Sequence, residues 1–212
     1  AEITVKDRPG VKELENVKGE IEFRDLTFRY PDGEFNELEH VSFKINPGEN
    51  IGLVGKTGAG KTTLVDLILR TYNVPDGTIF IDGQDVNSVS IHSVRENCAY
   101  VPQDNFLFSD TIARNIAFGN REVNLRAVKR AAIQADVDEN ISQFQLGYDT
   151  MLGERGVTVS GGEAQKIAIA RALYKDAPFI VLDEPTAALD PVAEAEIYAK
   201  FNEIAGDKTA IY

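Results

Sequence analysis

The spacing of apolar residues changes character several times along this chain, and each change predicts a different structural layer. Ile21 and Phe23 alternate with polar neighbours, the parity slips across Arg24-Asp25, and Leu26, Phe28 and Tyr30 alternate again before Pro31-Asp32-Gly33. Successive strand side chains point to opposite faces, so this stretch reads as two strand segments broken by a bend. Val41, Phe43 and Ile45 alternate up to Asn46-Pro47-Gly48, and Thr78 to Ile81 does so up to Asp82-Gly83. Short half-buried strands of this kind predict an antiparallel β layer. Asn50-Ile51-Gly52-Leu53-Val54 is instead a compact apolar run, and Thr62 to Leu69 after it has helical spacing.

From Asp110 to about Gln145 the period is helical, with Leu125, Val128 and Ala132 at i, i+3 and i+7, which predicts an all-helical insertion. A further helix is predicted over Ala164 to Tyr174, with Ile167, Ala170, Arg171 and Tyr174 on one face. Phe179-Ile180-Val181-Leu182 is the kind of run buried on both faces of a parallel sheet. Asp190-Pro191 opens the next helix as N-cap and first helical residue, Ile197, Phe201 and Ile204 form its apolar face, and Gly206 closes it. Residues 1–18 are charged and irregular and read as a linker or tail, with order expected from about Gly19; Lys208 to Tyr212 reads as a strand beginning. The fold class is therefore α/β. A mostly parallel core sheet, an antiparallel β layer and a helical subdomain at about 104–172 make up a domain spanning 19–212.

Composition narrows the function. With 43% hydrophobic residues in 212, a sizeable core is available. No run approaches the roughly 18 to 20 apolar residues that span a bilayer, and the lone Cys98 suits a reducing compartment, so a cytosolic setting is expected. A net charge of −12 argues against nucleic acid as a partner, since affinity for a phosphate backbone rests on clustered Lys and Arg. Neither His40 nor His92 has a second His or Cys at metal-ligand spacing. The chain opens Ala-Glu-Ile and stops at Ile211-Tyr212, which suggests a piece of something longer, truncated at its C-terminus.

Three clusters carry chemistry. Gly55-Lys56-Thr57-Gly58-Ala59-Gly60-Lys61-Thr62 is a complete phosphate-binding loop between the apolar run and the helix. Gly58 and Gly60 remove Cβ atoms that would hold the backbone off phosphate oxygens, so consecutive N–H groups can converge on them at the helix N-terminus. Lys61 brings a cation to the β- and γ-phosphates, and Thr62 supplies a hydroxyl for magnesium. Asp183 and Glu184 then follow a core strand directly, where open α/β sheets place their ligand crevice. In a nucleoside-triphosphatase the first suits the metal and the second the base that accepts a proton from attacking water. Finally, Ser160-Gly161-Gly162-Glu163 reads locally as a capping box, with Glu163 expected to turn back to Ser160's N–H. Two glycines in a first turn weaken a helix by about 1 kcal/mol each, so something should come close to that backbone. A helix N-terminus with a serine hydroxyl is a second anion site, and the composition suggests a nucleotide held by another molecule.

Val159-Ser160-Gly161-Gly162-Glu163, lying 23 residues before Asp183, resembles the signature of ATP-binding-cassette (ABC) ATPases, a P-loop NTPase family with a RecA-like core. The resemblance covers 19–212 and implies further roles. Tyr30 sits where these proteins stack an aromatic on adenine, and residues 55 to 63, Thr63 included, where they hold phosphates. Gln103 matches the glutamine that senses magnesium and the attacking water, and Ala187-Ala188-Leu189-Asp190 matches the D-loop. Gly153-Glu154-Arg155-Gly156, Phe108-Ser109-Asp110-Thr111-Ile112 and Asn115-Ile116 look like exporter sequence, the first resembling a segment that touches the membrane part. The resemblance thus implies hydrolysis of ATP with Mg2+, with Glu184, Gln103 and Lys61 catalytic and Thr62, Gln103 and Asp183 at the metal. Its implied partners are an identical or related domain placed head to tail, with Ser160 and Gly162 of one closing over the ATP on Lys61 of the other, and an attached transmembrane domain at the cytoplasmic face of a membrane. Two departures stand out. The family usually has glutamine where Glu163 stands, and its switch histidine lies beyond the last residue here. A soluble ABC-type ATPase acting on nucleic acid or the ribosome, and a nucleotide-gated interaction module, are the rival readings.

Overall fold

A computed structural model describes residues 5–52, 59–102, 104, 106–183, 199 and 201–212, the side chains of 59–61 excepted. The chain divides into two compact units, one of residues 1–98, 178–181 and 205–212 and the other of 99–177 and 182–204.

In the first unit β1 (Ile21–Phe28) pairs antiparallel with β2 (Leu38–Ile45) and, on its other side, with β4 (Ile79–Ile81), while β5 (Gln84–Asp85) returns along β4 through the Asp82-Gly83 turn. The slip in parity at Arg24-Asp25 is real but does not break the strand. It is a bulge within one continuous β1, with the register shifting between Phe23 and Leu26 and Asp25 at φ 45°. A bulge returns alternate residues to one face, which is why Ile21, Phe23, Leu26 and Phe28 are all buried. The second sheet runs β3-β8-β7-β6, with β3 (Asn50–Ile51), β6 (Cys98–Val101), β7 (Phe179–Leu182) and β8 (Thr209–Ile211). β8 pairs in parallel with β3 and β7, and all four residues of β7 are buried, as an apolar run covered on both faces must be. α1 (Ala59–Ile68) seals the core with Leu64, Val65, Leu67 and Ile68.

Residues 7 to 14 are tied down. Lys12 bridges Val89 in parallel, Leu14 is buried and donates its N–H to Ser93 Oγ at 3.0 Å, and Asp7 accepts the N–H of Ile91 at 2.8 Å. Those contacts run along α2 (Ile91–Glu96), the helix before β6. Thr209 pins a further stretch: its hydroxyl donates to Gly19 O at 2.6 Å and accepts from Gly48 N at 3.1 Å.

The second unit carries α3 (Ile112–Ile116), α4 (Leu125–Gln134), α5 (Asp138–Ser142) and α6 (Gly161–Lys175). Asn124 and Thr111 cap α4 and α3 through their side chains. On α4, Val128 and Ala132 are buried as expected, but Leu125 is 47% exposed; as the first helical residue it overhangs the end of the packed face. α6 ends with Asp176 in the left-handed region at φ 54°. Residues 201–205 are helical, Phe201 is buried and Gly206 follows at φ 58°, but the start of that helix at Asp190-Pro191 lies outside the described residues.

Candidate functional site

α1 begins inside the glycine-rich loop, so that Gly60, Lys61 and Thr62 form its first turn. Residues 55–58 lie outside the description, as do Gln103, Glu184 and Asp190. Thr62 is exposed, whereas Thr63, one residue on, is 1% exposed and turned into the first unit. There its Oγ1 lies 2.9 Å from the hydroxyl of Tyr30, which also donates to Asp66 Oδ2 at 3.3 Å. Tyr30 stands two residues past β1 in a turn closed by Gly33 N–H on its carbonyl at 2.9 Å. Its ring meets Phe28 and Tyr72 at steep angles with centroids 5.0 Å away in both cases. Burial pushes the Tyr30 hydroxyl pKa up, against the opposing pull of Thr63.

In the second unit, Asp183 leaves β7 with its N–H donated to Val101 O at 2.9 Å, and its Oδ2 accepts the Tyr100 hydroxyl at 2.8 Å. The phenol fixes the orientation of the carboxylate. Thr62 in the first unit and Asp183 in the second each carry an oxygen donor of the hard kind that Mg2+ takes. Among the described residues no group of three or more His, Cys, Asp and Glu gathers as a metal site.

Ser160 is the N-cap of α6, its Oγ accepting the N–H of Glu163 at 3.2 Å. The capping box is only half formed: among the described residues the Glu163 carboxylate makes no return bond to Ser160's N–H, and the expected turn-back is not seen. A Cβ on Gly161 or Gly162 would meet no described atom within 4 Å, so packing among the described residues does not require glycine at either position. The opposite holds at the exporter-like segment. A Cβ on Gly153, at φ 104°, would lie 2.7 Å from Ser109 Cα, and one on Gly156 2.2 Å from Met151 O. These glycines let 151–157 fold against 109–112, where Leu152 N–H reaches Asp110 O and Ile112 N–H reaches Thr150 O, and they leave Glu154 and Arg155 exposed.

One feature was not read from the sequence. Phe108 and Phe118 stack at 4.1 Å with Phe106 edge-on to Phe108, yet Phe106 and Phe118 are 65% and 56% exposed. Arg171 of α6 lies over Phe108 and Phe118 and donates to Asn115 O at 2.7 Å and Phe106 O at 3.1 Å. Burial lowers its pKa. The spacing Phe106-x-Phe108 with Phe118 has no secondary-structure period, so only the folded loop brings the rings together.

Comparison with known proteins gives a family. A family model described as ABC transporter matches residues 38–187. An ATP-dependent lipid A-core flippase from Aromatoleum aromaticum is 44% identical over 214 residues, covering 97% of this chain and 35% of the relative. The human ATP-binding cassette sub-family B member 6 is 44% identical over 210 residues, covering 99% of this chain and 25% of that protein. A solved bacterial Atm1-family ABC exporter with ATP bound superposes with a TM-score of 0.85 at 38% identity, covering 99% of this chain and 36% of that one. The chain thus spans about a third or less of the length of these relatives.

Proposed function

The chain belongs to the ABC transporter family, and from that premise we propose that it is the ATP-binding and ATP-hydrolysing domain that powers export by an attached transmembrane domain. The observation that carries this reading is the placement of Gly60-Lys61-Thr62 in the first turn of α1 with Thr62 exposed, since a helix N-terminus there presents N–H donors to phosphate. Gly55 to Thr62 and the backbone N–H of Thr63, whose hydroxyl is turned onto Tyr30, would cradle the phosphates, Lys61 would neutralise the β- and γ-oxygens, and Tyr30 would take the adenine. Thr62, Gln103 and Asp183 would hold Mg2+, which when bound supplies charge to the phosphate oxygens. Glu184 would accept the proton of the attacking water. Because phosphoryl transfer asks for positioning more than covalent chemistry, the fixed orientation of Asp183 by Tyr100 is a functional asset.

Exposed Ser160, Gly161 and Gly162 support a composite site closed by a second such domain, to which Asp190, by its resemblance to the D-loop, would contribute. The exposed aromatic rings of Phe106 and Phe118 and the exposed Glu154 and Arg155 support contact with membrane-attached segments at the cytoplasmic face. No helix among the described residues is long and apolar enough to cross a membrane. The test is ATP binding and steady-state phosphate release for the chain joined to its natural flanking sequence. Lys61→Ala is expected to remove both. Glu184→Gln is expected to keep binding and lower turnover by at least about 100-fold. Full turnover in Glu184→Gln would remove its assignment as base, and ATP binding untouched in Lys61→Ala would sink the nucleotide site.

A further inference from the structure

We propose that Thr63 is a positioning residue for the nucleobase, holding the Tyr30 ring by its hydroxyl so that base platform and phosphate loop are braced on one helix. This rests on the assignment of Tyr30 to adenine given above. Thr63 is 1% exposed, which turns its hydroxyl away from solvent and onto Tyr30 at 2.9 Å. Since the Tyr30 hydroxyl donates onward to Asp66, the Thr63 hydroxyl is the donor to Tyr30, and the chain Thr63–Tyr30–Asp66 runs in one direction. Thr63 and Asp66 are i and i+3 on α1, so both lie on the face toward Tyr30. Phe28 and Tyr72 restrict the ring from its sides, and the hydroxyl bonds tie it to α1 directly after Lys61 and Thr62. Without that brace the ring keeps its surface and loses its fixed position against α1. A flat base held only by stacking then gains freedom that binding must remove.

A purely structural role for Thr63 would weaken any ligand of α1, whereas a base-positioning role weakens only ligands that carry a base. Calorimetric dissociation constants for magnesium-ATP and for inorganic triphosphate separate the two, measured on the wild type, Tyr30→Phe, Thr63→Val, Thr63→Ser and the Tyr30→Phe/Thr63→Val pair. We expect Tyr30→Phe and Thr63→Val each to weaken ATP by about 3- to 10-fold, in line with the loss of one hydrogen bond. The double variant should be no weaker than Tyr30→Phe alone, Thr63→Ser should restore wild-type affinity, and triphosphate should bind all of them equally because the Thr63 backbone N–H is kept. Wild-type ATP affinity in both single variants overturns the proposal, and so does an equal loss for ATP and triphosphate. Tyr30→Ala serves as a control on the premise. If it binds ATP as the wild type does, the platform assignment fails and the proposal with it, while loss of ATP in Lys61→Ala would still support the nucleotide site.

Discussion

His40 shows how a single residue can look functional and have a local reason to exist. It sits in β2 at φ 50° opposite the bulge of β1, where Asp25 is at φ 45°, and its Nδ1 lies 2.7 Å from Asp25 Oδ1. Both residues occupy a backbone region that side chains seldom adopt, and their backbone N–H groups are satisfied by Thr27 Oγ1 and Ser42 Oγ. The hydrogen bond to Asp25, followed by its charge, raises the pKa of His40 above 6.5. A raised histidine pKa means that the folded chain binds the proton more tightly than the unfolded one. The stabilisation is therefore complete below about pH 6.5 and disappears as the pH rises through the folded value. An NMR titration of the ring should give a midpoint above 6.5 that returns to about 6.5 in Asp25→Asn. Because the pair is largely exposed, only a small effect on stability should accompany it; an unmoved midpoint in Asp25→Asn would show that another group sets it.

At the scale of elements, glycine has opposite meanings in two motifs that look alike on paper. Gly153 and Gly156 are held by contacts inside the second unit, while Gly161 and Gly162 are not. Gly153→Ala has to move Ser109, whose backbone would lie 2.7 Å from the new Cβ, and must also bear φ 104°. A loss of at least about 2 kcal/mol is expected in chemical denaturation, against about 1 kcal/mol or less of stabilisation for Gly161→Ala, which fills open space in a helix. Equal effects would contradict this division. Elements whose period was long or whose boundaries carried capping residues were legible in the sequence: the alternation of β1 and β2, the four apolar residues of β7, and α6 from Ser160. β6 was not, because Cys98-Ala-Tyr-Val is too short to show a period and takes its strand form from the sheet beside it. Likewise the phosphate loop and the Asp183 pair were legible as motifs, since their chemistry needs neighbours in sequence. The Tyr30–Thr63–Asp66 chain and the Arg171–Phe108 contact join residues at least 33 positions apart and only the fold reveals them.

For the molecule as a whole, association in pairs is the step on which the proposed function turns, and two features of charge act on it. Each copy carries −12, so bringing two together works against mutual repulsion before any nucleotide is added. Glu163 adds a local share. Its backbone N–H is taken by Ser160 Oγ, but its half-buried carboxylate makes no return bond to the Ser160 N–H, and it remains a negative charge in the first turn of α6. That position favours the helix, because a carboxylate there answers the positive end of the macrodipole. It disfavours a γ-phosphate arriving at the same N–H groups for the same reason. Glu163→Gln should therefore trade a little helix stability for tighter ATP-dependent pairing. Light scattering in a Glu184→Gln background should show the dimer forming at about 3- to 10-fold lower protein concentration at low salt, with the gain shrinking as ionic strength rises past the Debye regime of about 0.15 M. Ser160→Arg should prevent the pairing in either background by occupying the approach to α6. If Glu163→Gln leaves the pairing concentration unchanged, the carboxylate must swing away as the partner arrives, and the glutamine common in the family confers no electrostatic advantage at this position.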